Sequence, residues 1–490
     1  MICTPRLRAV LLAPMLACLA AAPALASTSL TMSPAAGHPK IGVSVRGSGF
    51  APDEAVDIYF DTTDMLLAVT DDSGAFGARK LSVPAGALPG AHWITAVGRK
   101  SGDAVQKLFT ARTDWSQFGF DERGKRTNSY ENVLDAQSAR ALDLMWKTPL
   151  CCSAIETSPI VSKGLVYVAT FDNKLHAVAA STGIEKWTAT TGGTIAWYQS
   201  PAVSNGVVYI GSMDGKLYAF DAATGAAKWT AATGGTNVVS IPVVAYGIVY
   251  VGSSDGKFYA FDALTGAAIW STALTAGTAT SNPVAVAGVV YVGSTSGIYA
   301  FDAFTGALKW GALGGAGVRA SIAVANGRLF AMLTDRNLYA LETDGGGVVW
   351  TAAISDGWSL AVANNAVYVG TYDGFLEPHS ASTGAWLSAT FLGGGAWDAP
   401  AVANGVAYIR SMDGRIYGID AGAGGVLWSA IDHGSASQSS PAVADGVVYS
   451  GSVNGNLYAF AIDGGRNAVY HRDATPPSYA KLRPDFRLKP

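Results

Sequence analysis

The chain repeats itself. Between Ser200 and Trp229 it reads SPAVSNGVVYIGSMDGKLYAFDAATGAAKW, and between Ser240 and Trp270 it reads SIPVVAYGIVYVGSSDGKFYAFDALTGAAIW. Units of the same pattern end at Trp187, Trp310, Trp350 and Trp428; a degraded one surrounds Thr383-Gly384-Ala385-Trp386 and a last one opens at Ser439, eight in all. Self-similarity at about 40 residues constrains the fold more than any local propensity, because one such unit can bury its faces only against copies of itself.

Each unit parses into four short strands. Apolar Pro201-Ala202-Val203 turns at Asn205-Gly206 into Val207 to Gly211, which reverses at Asp214-Gly215 into Leu217 to Asp221; a Thr224-Gly225 turn leads to a strand closed by Trp229. Asn-Gly and Asp-Gly supply the positive φ angles that tight hairpins need. Eight such sheets packed radially make an eight-bladed β-propeller. The Trp at a fixed phase (187, 229, 270, 310, 350, 428) is expected to pack between blades. The last unit lacks that Trp after Phe460-Ala461-Ile462-Asp463, while Leu142-Asp143-Leu144-Met145-Trp146 is a fourth-strand pattern with nothing before it to serve. The two are predicted to pair and close the ring, removing its open edges. A chain with 58 Gly, 13 Trp, 20 Tyr and only 14% charged residues fits this all-β class.

The consensus G-x-x-Y-V-G-S-x-D-G-K-x-Y-A-x-D-A-x-T-G-x-x-x-W resembles the pyrroloquinoline-quinone (PQQ) type of propeller repeat, found in quinoprotein dehydrogenases and in non-catalytic envelope proteins. It covers roughly residues 146 to 465. The preceding stretch, Asp114 to Trp146, looks like the lead-in that commonly precedes such propellers. Upstream, KIGVSVRGSGF, AVDIYFD, HWITAVGR and VQKLFTA alternate apolar and polar residues between Gly, Pro and Asp turns, as a β-sandwich does. GSGFAPDEAVDIYFD and VPAGALPGAHWITAVG are similar to bacterial immunoglobulin-like modules of exported proteins. The expected organisation is therefore a signal peptide at 1–26, an immunoglobulin-like β-sandwich at 27–111, a lead-in linker at 112–141, the propeller at 142–465 and a C-terminal tail at 466–490.

Residues 1–26 carry Arg6 and Arg8, an apolar run from Ala9 to Leu19 and a small-x-small site at Ala24-Leu25-Ala26, the layout of a secretory signal peptide. A lipoprotein form modified at Cys18 is the alternative. Export to the periplasm, cell surface or medium follows, with no transmembrane span. A net charge of −3 gives no electrostatic footprint for nucleic acid. Of four cysteines, Cys3 and Cys18 lie in the leader, which leaves Cys151-Cys152. In an oxidising compartment adjacent thiols can pair. The pair stands just before the first inner strand, at the mouth of the central channel, and in quinoprotein alcohol dehydrogenases of this fold a vicinal disulfide in such a connection stacks on the cofactor ring.

Phase places Glu156, Trp197, Tyr198, Gln199, Asn237, Asn282, Arg319, Trp358, Trp397, Asp398 and Gln438 near the starts of the inner strands. Single-copy polar and aromatic groups converging on one concave mouth make a default ligand site; the candidates for binding are Cys151, Cys152, Trp197, Gln199, Asn282, Arg319, Trp358, Trp397 and Asp398. His176, His379 and His433 fall at different phases, so no metal site is expected of them. The residues match the enzymes poorly beyond the cysteines. The arginine that would hold their cofactor falls near Thr157, no Glu/Asn/Asp set for calcium is visible, and no C-x-x-C-H haem motif is present. Two function classes follow. One is an exported non-catalytic binding or scaffold propeller, monomeric, without cofactor, holding a protein or glycan partner. The other is a PQQ- and calcium-dependent alcohol or sugar dehydrogenase.

Overall fold

The computed structural model describes residues 27–150, 154–196, 199–274, 277–279, 281–431 and 439–465. The expected signal peptide, Cys151, Cys152, Trp197, Tyr198, His433, Gln438 and the C-terminal tail lie outside the described residues. The regular secondary structure of the described chain is almost wholly β. Its first part forms a three-stranded and a five-stranded sheet from strands between Ser29 and Ala111. Both sheets feed one buried cluster, including Val43, Val45, Ile58, Phe60, Ile94 and Phe109.

The repeats form eight further sheets among the described residues. They are sheets I (160–190), II (202–232), III (243–273), IV (284–312), V (318–353), VI (357–391), VII (401–431) and VIII (442–462). Sheet VIII takes its fourth strand from Leu142–Pro149, which pairs antiparallel with Asn456–Ile462 in the register Leu142↔Ile462 to Pro149↔Asn456. The innermost strands touch one another in cyclic order, and that of VIII returns to that of I. The arrangement is propeller-like.

The repeated polar residues stabilise their own unit. Asp221 Oδ1 accepts hydrogen bonds from Ala223 N, Thr224 N and Thr224 Oγ1, an Asx-type turn repeated at Asp262 and Asp302. Tyr218, Tyr259, Tyr339 and Tyr417 donate their hydroxyls to Asp214, Asp255, Asp335 and Asp413, the Asp of each unit's hairpin. The repeated aromatics join units. Tyr167 Oη and Trp187 Nε1 of sheet I both donate to Ala222 O of sheet II, and Tyr209 with Trp229, Tyr250 with Trp270, and Tyr291 with Trp310 do likewise for the next three junctions. Trp350 Nε1 serves the junction after them. At the closure, Trp146 Nε1 donates to Ala180 O of sheet I at 2.9 Å, so the strand borrowed from upstream also supplies the missing Trp.

Sheet VI is built from the degraded unit around Trp386. Trp386 is 60% exposed, and its strand pairs with its neighbour only through Thr390–Phe391 and an isolated bridge at His379. Pro378 stands where other units have Ala or Gly and offers no N–H to an outer strand. The space that Trp187 fills against Gly225 is here occupied by Ser388 and Thr390 against Gly424.

The lead-in is woven into the ring. Thr113 N donates to Asp445 Oδ1 at 2.6 Å (sheet VIII), Trp115 exchanges both backbone bonds with Val161 (I), and Ser116 O accepts from Val203 N (II). Gln117 binds both backbone groups of Val244 (III). Glu122 O, Arg123 O, Lys125 O and Arg126 O then accept from Ala285 (IV), Val324 (V), Val362 (VI) and Val402 (VII), and Asn128 Nδ2 donates to Val443 O (VIII). Residues 113–128 thus make one complete circuit of the inner strands, pairing edges that would otherwise stay open. Gly124 permits the close approach: its φ is +69°, and a Cβ there would lie 2.6 Å from Val284 Cγ1 and 2.7 Å from Ile322 O.

Candidate functional site

The circuit binds the C-terminal ends of the inner strands, so the channel is floored at that end. At their N-terminal ends lies a cavity of about 550 Å³ whose lining includes Phe118 of the circuit together with Asn282, Arg319, Trp358, Trp397 and Asp398. Five of the nine sequence candidates are therefore brought together. Gln199 is fully buried beside them, its Nε2 donating to Val238 O at 2.6 Å, and does not line the cavity. Cys151, Cys152 and Trp197 lie outside the described residues.

The serines that open the inner strands form a belt between sheets. Ser158 N donates to Ser200 Oγ, Ala399 N to Ser440 Oγ and Ser440 N to Ser158 Oγ, at 2.9–3.0 Å. Asn282 Oδ1 takes a serine-like place, accepting from Ile241 N at 3.2 Å. The single-copy residues break this symmetry on one side. The Arg319 guanidinium pairs with Asp356 at 2.7 Å and lies 5.6 Å from the Trp358 ring centroid. Trp358 stacks with Trp397 at 6.3 Å and 26°, and Trp397 with Tyr372 at 5.5 Å and 29°. A ladder of one cation and three aromatic rings thus climbs one wall.

Beneath the ladder the charges are internal. Arg126, 1% exposed, donates to the carbonyls of Phe118, Pro400 and Pro441 and lies over the Phe118 ring at 4.4 Å. Burial pulls its pKa down to about 9, opposed by the nearby Asp398 carboxylate. Arg410, also buried, donates from Nη1 to Gly451 O; it stands in the column held by Gly211, Gly252, Gly293, Gly370 and Gly451. Burial raises the Glu156 carboxyl. His176 is committed to Glu185 and Thr170, and His379 to Gly384 O. Among the described residues no group of three or more His, Cys, Asp or Glu side chains is placed to hold a metal ion.

Sequence reasoning missed Phe118, Arg126, Tyr372, Asp356 and Arg410. Arg410 left a signal, a charge in a column of glycines. Tyr372 left a weaker one, an aromatic beside a hairpin Asp-Gly.

Comparison with known proteins gives two kinds of relative. In sequence, 101 residues are 29% identical to a quinohemoprotein alcohol dehydrogenase from Comamonas testosteroni, covering 20% of this chain and 14% of that protein. In structure, the chain is similar to BamB from Moraxella catarrhalis, with a TM-score of 0.57, 21% identity, and 65% of this chain and 97% of the other covered. It is also similar to the quinohemoprotein alcohol dehydrogenase of Comamonas testosteroni, with a TM-score of 0.62, 17% identity, and coverage of 72% and 81%. At these identities the structural likeness is one of fold. A family model described as outer membrane protein assembly factor BamB matches residues 94–351, 294–385 and 334–479. Those overlapping matches span most of the chain, which belongs to that family.

Proposed function

We propose that this protein is an exported, non-catalytic binding or scaffold propeller of the cell envelope. In this reading the eight sheets are the blades of one closed propeller over 142–465, residues 27–111 are an immunoglobulin-like spacer, and residues 1–26 are a cleaved leader. The channel mouth or a loop face holds a protein or glycan partner. The observation that carries the reading is the state of the charges at the mouth. Arg319 is paired with Asp356, and Arg126 is buried with its guanidinium donating to the carbonyls of Phe118, Pro400 and Pro441, so among the described residues neither of these cations stands ready for the carboxylates of a quinone cofactor. Burying such carboxylates without partners is costly.

The dehydrogenase reading draws support from the likeness to quinohemoprotein alcohol dehydrogenase and from the adjacent cysteines. Against it, the described residues bring together no group of three or more His, Cys, Asp or Glu side chains. The test is to titrate the purified protein with pyrroloquinoline quinone and calcium, following quinone absorbance and alcohol-dependent dye reduction. We expect neither saturation nor turnover; saturable quinone binding with dye reduction would replace the scaffold reading with the enzymatic one.

A further inference from the structure

We infer that the floored well at the channel mouth binds a short, uncharged carbohydrate, end-on. This rests on the binding reading above and names its ligand class. The first argument is electrostatic: among the described residues Arg319 is paired with Asp356 and Asp398 lies near the buried Arg126, so a strongly charged ligand would find no free counter-charge among them.

The second is the inventory of unspent hydrogen-bonding groups. Asn282 uses Oδ1 on Ile241 and leaves Nδ2 without a partner among the described residues, as are the hydroxyls of Thr278 and Ser359. The Nε1 of Trp397 is buried with no acceptor. All four groups belong to residues lining one cavity. They are neutral, and the amide of Asn282 and the hydroxyls of Thr278 and Ser359 can meet ligand hydroxyls without breaking a bond inside the protein. A purely apolar ligand would leave every one of them unmade.

The third is shape. Trp358, which lines the well, is 37% exposed, offering aromatic surface to the C–H face of a pyranose ring. Opposite it Val239, Ile241 and Ala279 are apolar, so the well suits a ligand with one apolar face and a hydroxylated edge. Phe118 closes the base, which favours the end of a chain over a strand threaded through. The volume of about 550 Å³ lies within the ordinary range for small-molecule sites and admits about two or three sugar rings.

The test is to titrate the full chain with maltotriose, cellotriose and triacetylchitotriose, reading tryptophan fluorescence and heat. At least one should saturate, and Trp358→Ala and Trp397→Phe should each weaken it by about tenfold or more, the second because it cuts back the ring on which Trp358 stacks. Trp386→Ala, on the outer rim, should bind like the parent. Thermal unfolding of each variant checks that it is folded. The inference is overturned if no sugar saturates below about 10 mM, or if binding survives Trp358→Ala combined with Trp397→Phe. Failure of the scaffold reading would look different: the quinone would saturate and the sugars would not.

Discussion

Asp445 shows how a single side chain ties the lead-in to the ring. Its Oδ1 accepts from both Thr113 N and Thr113 Oγ1, while its own N–H donates to Thr113 Oγ1. Asp114 and Glu131 add negative charge nearby, and Glu131 Oε2 accepts from Gly446 N. Burial lifts the Asp445 carboxyl from 3.8 to about 7, so the folded protein holds this proton more tightly than the unfolded chain does. Its contribution to stability is then full below the unfolded pKa and is lost as the pH rises through about 7. Unfolding free energies from urea titrations at about pH 4 to 8 should fall across this window by on the order of 1–3 kcal/mol. Asp445→Asn, which keeps the acceptor and removes the titration, should flatten the curve; an unchanged slope would locate the proton elsewhere.

At the scale of the element, each unit needs its neighbour. The outer-strand Trp lies across the Thr-Gly turn of the next sheet, so closely that a Cβ on Gly266 would come within 2.6 Å of Trp229 Cε3. Trp229→Ala should therefore cost about 2–4 kcal/mol, as truncation of a packed aromatic does. Trp386→Ala should change stability by less than about 0.5 kcal/mol, because that side chain has already left the junction. Guanidinium unfolding of the two variants compares them directly, and equal losses would refute the assignment of Ser388 to the packing phase. The four-strand pattern, its hairpins and the orphan strand before Trp146 were legible in the sequence because they are written in turn chemistry and alternation. That the unit around Trp386 is degraded was legible too, but not why its Trp leaves the junction, because Pro378 sits on the neighbouring strand.

Over the whole molecule, the ring is closed twice. Strand Leu142–Pro149 completes sheet VIII, and the circuit of residues 113–128 pairs the inner strands of all eight sheets. Removing residues 27–111 should leave a folded ring, since the sandwich has its own core. Removing 27–131 keeps the closing strand but strips the circuit, and should yield aggregation, seen by light scattering, with a lowered melting temperature. A stable monomer from the shorter chain would mean that the circuit is dispensable.

By itself the sequence determined the all-β class, the phase of the repeats, and the strand that pairs with the last of them. These depend on local turn residues and on a period copied eight times, so each unit restates the same instruction. It also ranked Arg319, Trp397 and Asp398 above the repeated Trp residues, because a side chain that breaks a repeat is not needed by it. Only the tertiary structure decided that these three share one well with Asn282 and Trp358, that Asp356 neutralises Arg319, and that Phe118 and Arg126 floor the channel. The reason is physical: residues from 118 to 398 meet there only after the ring has closed, and the circuit is held largely by backbone carbonyls, which every residue carries and no residue type announces.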